Sequence, residues 1–152
     1  MRTPPLPVPE LPSPWHGEAL SRTPSRVELA VRDDDGHTAT VRLQRCTVGR
    51  LRDAYPVAAN DVDLEITDVD SAAVRAELLG AVIAAIHSAD PRCRRVVVPF
   101  PAAAADDIAA AREVGLHPVV EVDVPGGELA LLVAVPAWVR AGDEEADRVP
   151  GA

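Results

Sequence analysis

Apolar and polar residues alternate through residues 26–32, Arg-Val-Glu-Leu-Ala-Val-Arg, and again through residues 38–45, Thr-Ala-Thr-Val-Arg-Leu-Gln-Arg. A period of two is that of a strand with one buried face. Asp33-Asp-Asp-Gly36-His between them is a turn in which Gly36 takes a positive φ at little cost. The pair predicts an antiparallel hairpin. Residues 61–68 alternate as well, with Val62, Leu64 and Ile66 on one face and Asp63, Glu65 and Thr67 on the other. The period then changes. In residues 72–88, Val74, Leu78, Val82 and Ile86 recur every four positions and Leu79 and Ile83 widen the stripe, which predicts an amphipathic helix. Asp70 or Ser71 offers a short side-chain oxygen to cap its first amides. Residues 95–100, Arg-Val-Val-Val-Pro-Phe, read as a strand covered on both faces, central and suited to a parallel neighbour.

A short helix follows over residues 106–115. Asp106 and Asp107 sit at its positive end, and Gly115 suits a left-handed C-cap with Leu116 packed behind it. Residues 119–124 and 129–135 flank Pro125-Gly-Gly-Glu128 and predict a second hairpin. Residues 47–60 fit either a short helix ended by Pro56 or an irregular loop. The order predicts an α/β (α+β) fold: a mixed, mostly antiparallel sheet, two connecting helices and a C-terminal hairpin. A ferredoxin-like domain would have to discard one or two of these strands.

Residues 26–140 form the expected single domain. Residues 1–25 contain seven of the fifteen prolines and read as an extended, flexible arm. Trp15 is its one residue suited to dock, on the domain or on a second subunit. Trp138 is placed to cover an end of the sheet, and residues 141–152 read as a frayed acidic tail. A chain of 152 residues is long enough for one core, and with Phe, Tyr and Trp at 3% that core must be built from Val, Leu, Ile and Ala. The formal charge of -9 repels nucleic acid and anionic membrane. Two cysteines are too few for a disulfide framework or a Cys-rich metal site. The N-terminal residues lack the apolar region of a signal peptide, and the apolar runs break before the ~20 residues that span a bilayer. A cytoplasmic protein is the expectation. The apolar run 129–135 would tend to pair if left on an edge, which predicts a homodimer.

The segment Ala109-Ala-Ala-Arg-Glu-Val-Gly-Leu-His-Pro-Val-Val-Glu-Val, within the order of elements from residue 61 to residue 136, resembles the C-terminal two-thirds of the GNAT superfamily of acyl-CoA-dependent N-acetyltransferases. The resemblance covers about half of the chain. It implies that the strands at residues 62–68 and 95–100 splay apart, that the pantetheine arm of acetyl-CoA or another acyl-CoA enters between them, and that amides opening the intervening helix hold the pyrophosphate. A helix N-terminus offers free N–H groups and a positive dipole end to such an anion. The implied cofactor-binding residues are Ile66, Asp68, Val69, Asp70, Ser71, Ala72, Ala73, Arg75 and Val98. The family's loop pattern, Gln/Arg-x-x-Gly-x-Gly/Ala, falls on Asp70, Ala73 and Arg75. Asp70 would repel a phosphate, and Arg75 would offset that by a guanidinium contact. The Tyr that protonates the departing thiolate in the family is Ala111 here. The family's first strand and paired helices look shortened or absent.

Acyl transfer to an amine needs a group to take the amine's proton. Glu65, on the strand that flanks the implied cofactor, is the candidate base. His117, which opens the C-terminal hairpin, is the second catalytic candidate. The implied activity is transfer of an acyl group to an unidentified amine; the alternative is an inactive domain that senses CoA or binds a protein. Three aspartates in one turn fall short of a metal's ligand count, so no metal is predicted. Cys46 reads as a small buried residue. Cys93, among Arg92, Arg94 and Arg95, reads as a thiol with its thiolate favoured.

Overall fold

In the computed structural model, described for residues 3–69 and 71–135, seven strands form one sheet in the order β1-β2-β3-β4-β5-β7-β6. The strands are β1 (His16–Thr23), β2 (Arg26–Arg32), β3 (Thr38–Arg45), β4 (Val62–Thr67), β5 (Val96–Pro101), β6 (His117–Val124) and β7 (Gly127–Ala134). Helix α1 (Ala72–Ala89) joins β4 to β5, and α2 (Ala105–Glu113) joins β5 to β6. Only β4 and β5 are parallel; every other neighbouring pair is antiparallel. Trp138 and residues 141–152 lie outside the described residues.

The alternation reads through into burial. Val27, Leu29 and Val31 of β2, Val41 and Leu43 of β3, and Val62, Leu64 and Ile66 of β4 all face one core. The stripe of α1, Leu78, Leu79, Val82 and Ile86, covers that face. By length and composition alone α1 would also suffice to cross a membrane, at 18 residues and a mean hydropathy of 1.4; here its stripe lies on the sheet. Ser71 starts the helix, its Oγ accepting from Val74 N–H at 3.3 Å. Gly115 ends the α2 turn at φ +99°, and Leu116 N–H returns to Ala111 O at 3.2 Å. Leu116 is then 2% exposed, the hydrophobic contact that accompanies such a cap. Residues 46–60 are a 3-10 turn at Cys46–Val48 followed by turns, and they cover the other face with a second cluster of Cys46, Leu51, Val97 and Leu131.

Two expectations are corrected. Residues 3–23 are not a flexible arm. β1 pairs with β2 along its length, with a register shift between Ala19 and Ser21. Ahead of it, Leu6 and Trp15 are buried in the domain's own core. Arg45, 1% exposed, fixes this segment: Nε donates to Pro4 O at 3.1 Å and Nη2 to Pro5 O at 2.7 Å. Nη1 donates to Asn60 O at 2.7 Å and pairs with Asp90 at 2.8 Å. Pro stiffens the segment without freeing it, because carbonyls that no neighbouring N–H claims remain good acceptors for a guanidinium. The second correction concerns residues 129–135. β7 lies between β5 and β6 with Leu131 and Leu132 buried, so it is not an edge. The homodimer expectation rested on that edge; the outer strands are β1 and β6, and β6 carries Pro118, Glu121 and Asp123, residues that discourage further pairing.

The acidic turn brings Asp33, Asp35 and His37 within 4.8 Å of one another. Asp33 Oδ1 accepts from the amides of Asp35 and His37, and its Oδ2 lies 2.8 Å from His37 Nδ1. That hydrogen bond raises His37 above its usual 6.5. An NMR titration is expected to place the His37 inflection above that value, and Asp33→Asn to return it to the ordinary range.

Candidate active site

β4 and β5 pair at only two positions, Val62 with Val96 and Asp63 with Val97. Val62 N–H donates to Arg95 O at 3.1 Å. Successive residues of a strand turn their N–H and C=O to opposite sides, so the odd-numbered residues of β5 face β4. The even-numbered ones face β7, as Ala102 N–H donating to Glu128 O at 3.1 Å shows. By that register Leu64 N–H is the last donor from β4 to β5. The next bond would run from residue 99 to Leu64 C=O. Residue 99 is proline, without an N–H, and Pro101 is the next residue facing the same way. Beyond Leu64 the strands diverge.

The gap opens into a cleft of about 270 Å3. Glu65, Ile66 and Thr67 form its β4 wall; Val98, Pro99, Phe100 and Pro101 form its β5 wall. Leu79 and Arg75 of α1 and Asp107 of α2 line it as well. Continuing the alternation, Ile66 N–H and C=O face the gap. At the start of α1 the N–H groups of Ser71, Ala72 and Ala73 have no partner within the helix, because Val74 N–H is taken by Ser71 Oγ and Arg75 N–H by Ser71 O at 3.0 Å. Val69 packs against the core beside them.

Of the predicted binding residues, Ile66, Arg75 and Val98 line the cleft. Arg75 is engaged: its Nη1 pairs with Asp107 Oδ2 at 2.8 Å, while its Nε is buried without a partner. Asp68 does not line it. At φ +57° it turns toward β3, accepting from Thr40 Oγ1 at 2.9 Å, and lines a different hollow with His16 and Arg32. Asp70 lies outside the described residues. Pro99, Pro101 and Asp107 were missed by sequence reasoning; a proline inside a predicted central strand was the available signal, since such a residue does not sit in a continuous ladder.

Glu65 stands where the cleft meets a second, smaller hollow of about 110 Å3 on the face opposite α1. Arg42 Nη1 donates to it at 3.0 Å and Arg50 Nη2 at 3.3 Å. Arg50 Nε also donates to Asp63 at 3.1 Å. Burial pushes the Asp63 carboxyl above its usual range, against the pull of Arg50. His117 is not brought to this place. It pairs with Val133, which pairs with Val97, which pairs with Asp63, so three strand spacings, about 14 Å, separate it from β4. Tyr55 is committed elsewhere, its hydroxyl donating to Asp61 at 2.8 Å. Ala111 is fully buried in the core. Cys93 is corrected too. It is fully buried, its Sγ lies 3.3 Å from Arg95 O, and burial pushes its thiol up to about 12, as it does for Cys46. The neighbouring guanidiniums do not overcome that desolvation.

No protein-family model matches the sequence, and no curated protein matches it. Solved structures do match its fold. An uncharacterized protein from Bacillus halodurans superposes with a TM-score of 0.68 at 14% identity over 75% of this chain. This chain spans 61% of the length of that protein. Aminoglycoside acetyltransferase AAC(6')-Ib in complex with coenzyme A gives a TM-score of 0.65 at 10% identity, over 77% of this chain and 70% of the other. The GNAT domain of S. lividans PAT gives 0.53 at 21% identity, over 74% and 61%. At 10–21% identity the likeness to these structures is one of fold. Here β1 leads straight into β2 with no helix between them. The chain has a divergent GNAT fold.

Proposed function

We propose that this chain is an N-acyltransferase that moves an acetyl or other acyl group from acyl-CoA to an amine. The observation that carries the reading is the cleft between β4 and β5, open beside the first turn of α1. The residues present suit an acyl-CoA. An amide-bearing arm finds Ile66 N–H and C=O on the β4 wall and apolar contact from Ile66, Leu79 and Val98. Phosphate oxygens find the amides of residues 71–73, which no helical carbonyl claims, and the positive end of α1. Arg75 is close enough in sequence to join them once its bond to Asp107 is exchanged for one to phosphate. Acyl-CoA supplies the activated acyl group as a thioester. Glu65, at the junction of the two hollows, takes the amine's proton, and Arg42 and Arg50 hold its carboxylate in place. Isothermal titration with acetyl-CoA is expected to give saturable binding below about 1 mM, an affinity of about -4 kcal/mol or better. No heat at that concentration would sink the reading.

A second reading, a CoA-binding domain without catalysis, is favoured by Ala111, whose buried methyl group leaves no hydroxyl for the departing thiolate. Binding of acetyl-CoA without thiol release across a panel of primary amines would select it.

A further inference from the structure

The prolines of β5 have a role that neither the fold nor the acyltransferase reading assigns. A central strand normally excludes proline, because each lost N–H removes a ladder bond. Here both prolines fall on the side of β5 that faces β4, and none falls on the side that faces β7. The bonds to β7 therefore run unbroken from Val96 to Pro101 in register, while the bonds to β4 stop after Asp63 and Val97. The stop coincides with the first donor that Pro99 lacks.

We propose that Pro99 and Pro101 hold the cleft open in the absence of any ligand and make its β5 wall an acceptor-only surface. Were residue 99 to carry an N–H, Leu64 C=O would be its partner and the parallel ladder would continue toward Ile66 and the Pro99 carbonyl. With proline there, Leu64 C=O and both Ile66 groups stay available on β4. β5 offers no donor to the gap; Pro99 C=O faces it, and Pro101 C=O already accepts from Ala104 N–H at 2.9 Å. An extended ligand lying in the gap is then bound with a defined polarity. It donates toward β5, and it can both donate and accept toward β4. This second half of the proposal rests on the acyl-CoA reading, in which the occupant carries amide groups; the first half does not.

The test is residue-resolved amide hydrogen exchange of the full chain by NMR, without ligand. In the parent, Leu64 N–H is expected to exchange slowly and Ile66 N–H fast. In Pro99→Ala, the N–H gained at position 99 is expected to be protected and Ile66 N–H to slow about tenfold. Acetyl-CoA should bind that variant several times more weakly than it binds the parent. Slow exchange of Ile66 in the parent, or unchanged Ile66 exchange in folded Pro99→Ala, would overturn the proposal. Pro99→Val, which keeps more of the buried volume, serves if the alanine variant does not fold, and the contrast between Leu64 and Ile66 in the parent needs no variant. Should the parent bind no acetyl-CoA, the acyltransferase reading falls while the exchange contrast still decides the role of the prolines.

Discussion

Replacing Arg45 by Met is expected to destabilise the protein by about 3–5 kcal/mol, the usual cost of breaking a buried ion pair from one side. The guanidinium is 1% exposed and serves three carbonyls and a carboxylate at once. Met fills much of the volume, but it leaves Asp90 buried without its cation and Pro4, Pro5 and Asn60 carbonyls without a donor. Asn60 Nδ2 reaches Asp90 at 3.3 Å, which softens the loss without cancelling it. For a chain of this size, 1 kcal/mol corresponds to roughly 2–4 °C, so the melting temperature should fall by roughly 10 °C. Urea denaturation of Arg45→Met, with the midpoint compared at equal slope, checks the figure. Arg45→Lys should recover little of it, because an ammonium on a single stem cannot fork to acceptors on three segments. A change below about 1 kcal/mol would mean that the N-terminal segment is not held as described.

Glu65→Gln is the variant with the largest expected effect on turnover. A positioned general base contributes about 10²–10⁴-fold. The lower end, about 10²-fold in kcat, is expected here, because both Glu65 oxygens already accept from guanidiniums and one must be exposed before an amine can reach it. Gln keeps the shape and one acceptor oxygen for Arg42, so the KM for acetyl-CoA should move little. The check is thiol release with a primary amine across a pH series. If Glu65 takes the proton, the variant's rate should follow the fraction of free amine more steeply than the parent's. Equal loss in kcat/KM and a raised KM for acetyl-CoA, with kcat intact, would instead make Glu65 part of the binding wall.

Much of the fold was legible because each element carries its own local signal. The alternation in β2, β3 and β4, the four-residue stripe of α1, the Ser71 cap and the Gly115 stop all act over a few residues and survive in the structure. β1 was not legible because all eight of its residues are exposed, so no alternation marks it. The proline-rich count hid a run without proline, residues 15–23. The anchoring of Pro4 and Pro5 by Arg45 joins positions some forty residues apart, beyond the reach of pattern reading. The candidate site divides in the same way. Ile66, Arg75 and Val98 reach the cleft through the alternation of β4, the start of α1 and the alternation of β5. His117 misses it because strand order, which places β7 between β5 and β6, is not written in the spacing of residues along the chain. Asp68 misses it because a single left-handed residue turns it away.

The brevity of the β4–β5 contact also bears on how the molecule assembles. The strands β1 to β4 form one antiparallel run whose neighbours follow closely in sequence, and β5, β7 and β6 form another. Between them the backbone ladder holds two residue pairs, beside the crossover through α1 and the side chains of the shared core. Closing that parallel seam costs the chain entropy of the whole crossover and returns few backbone bonds, so it should form late in folding and depend on the core packed beneath α1 more than on its own ladder.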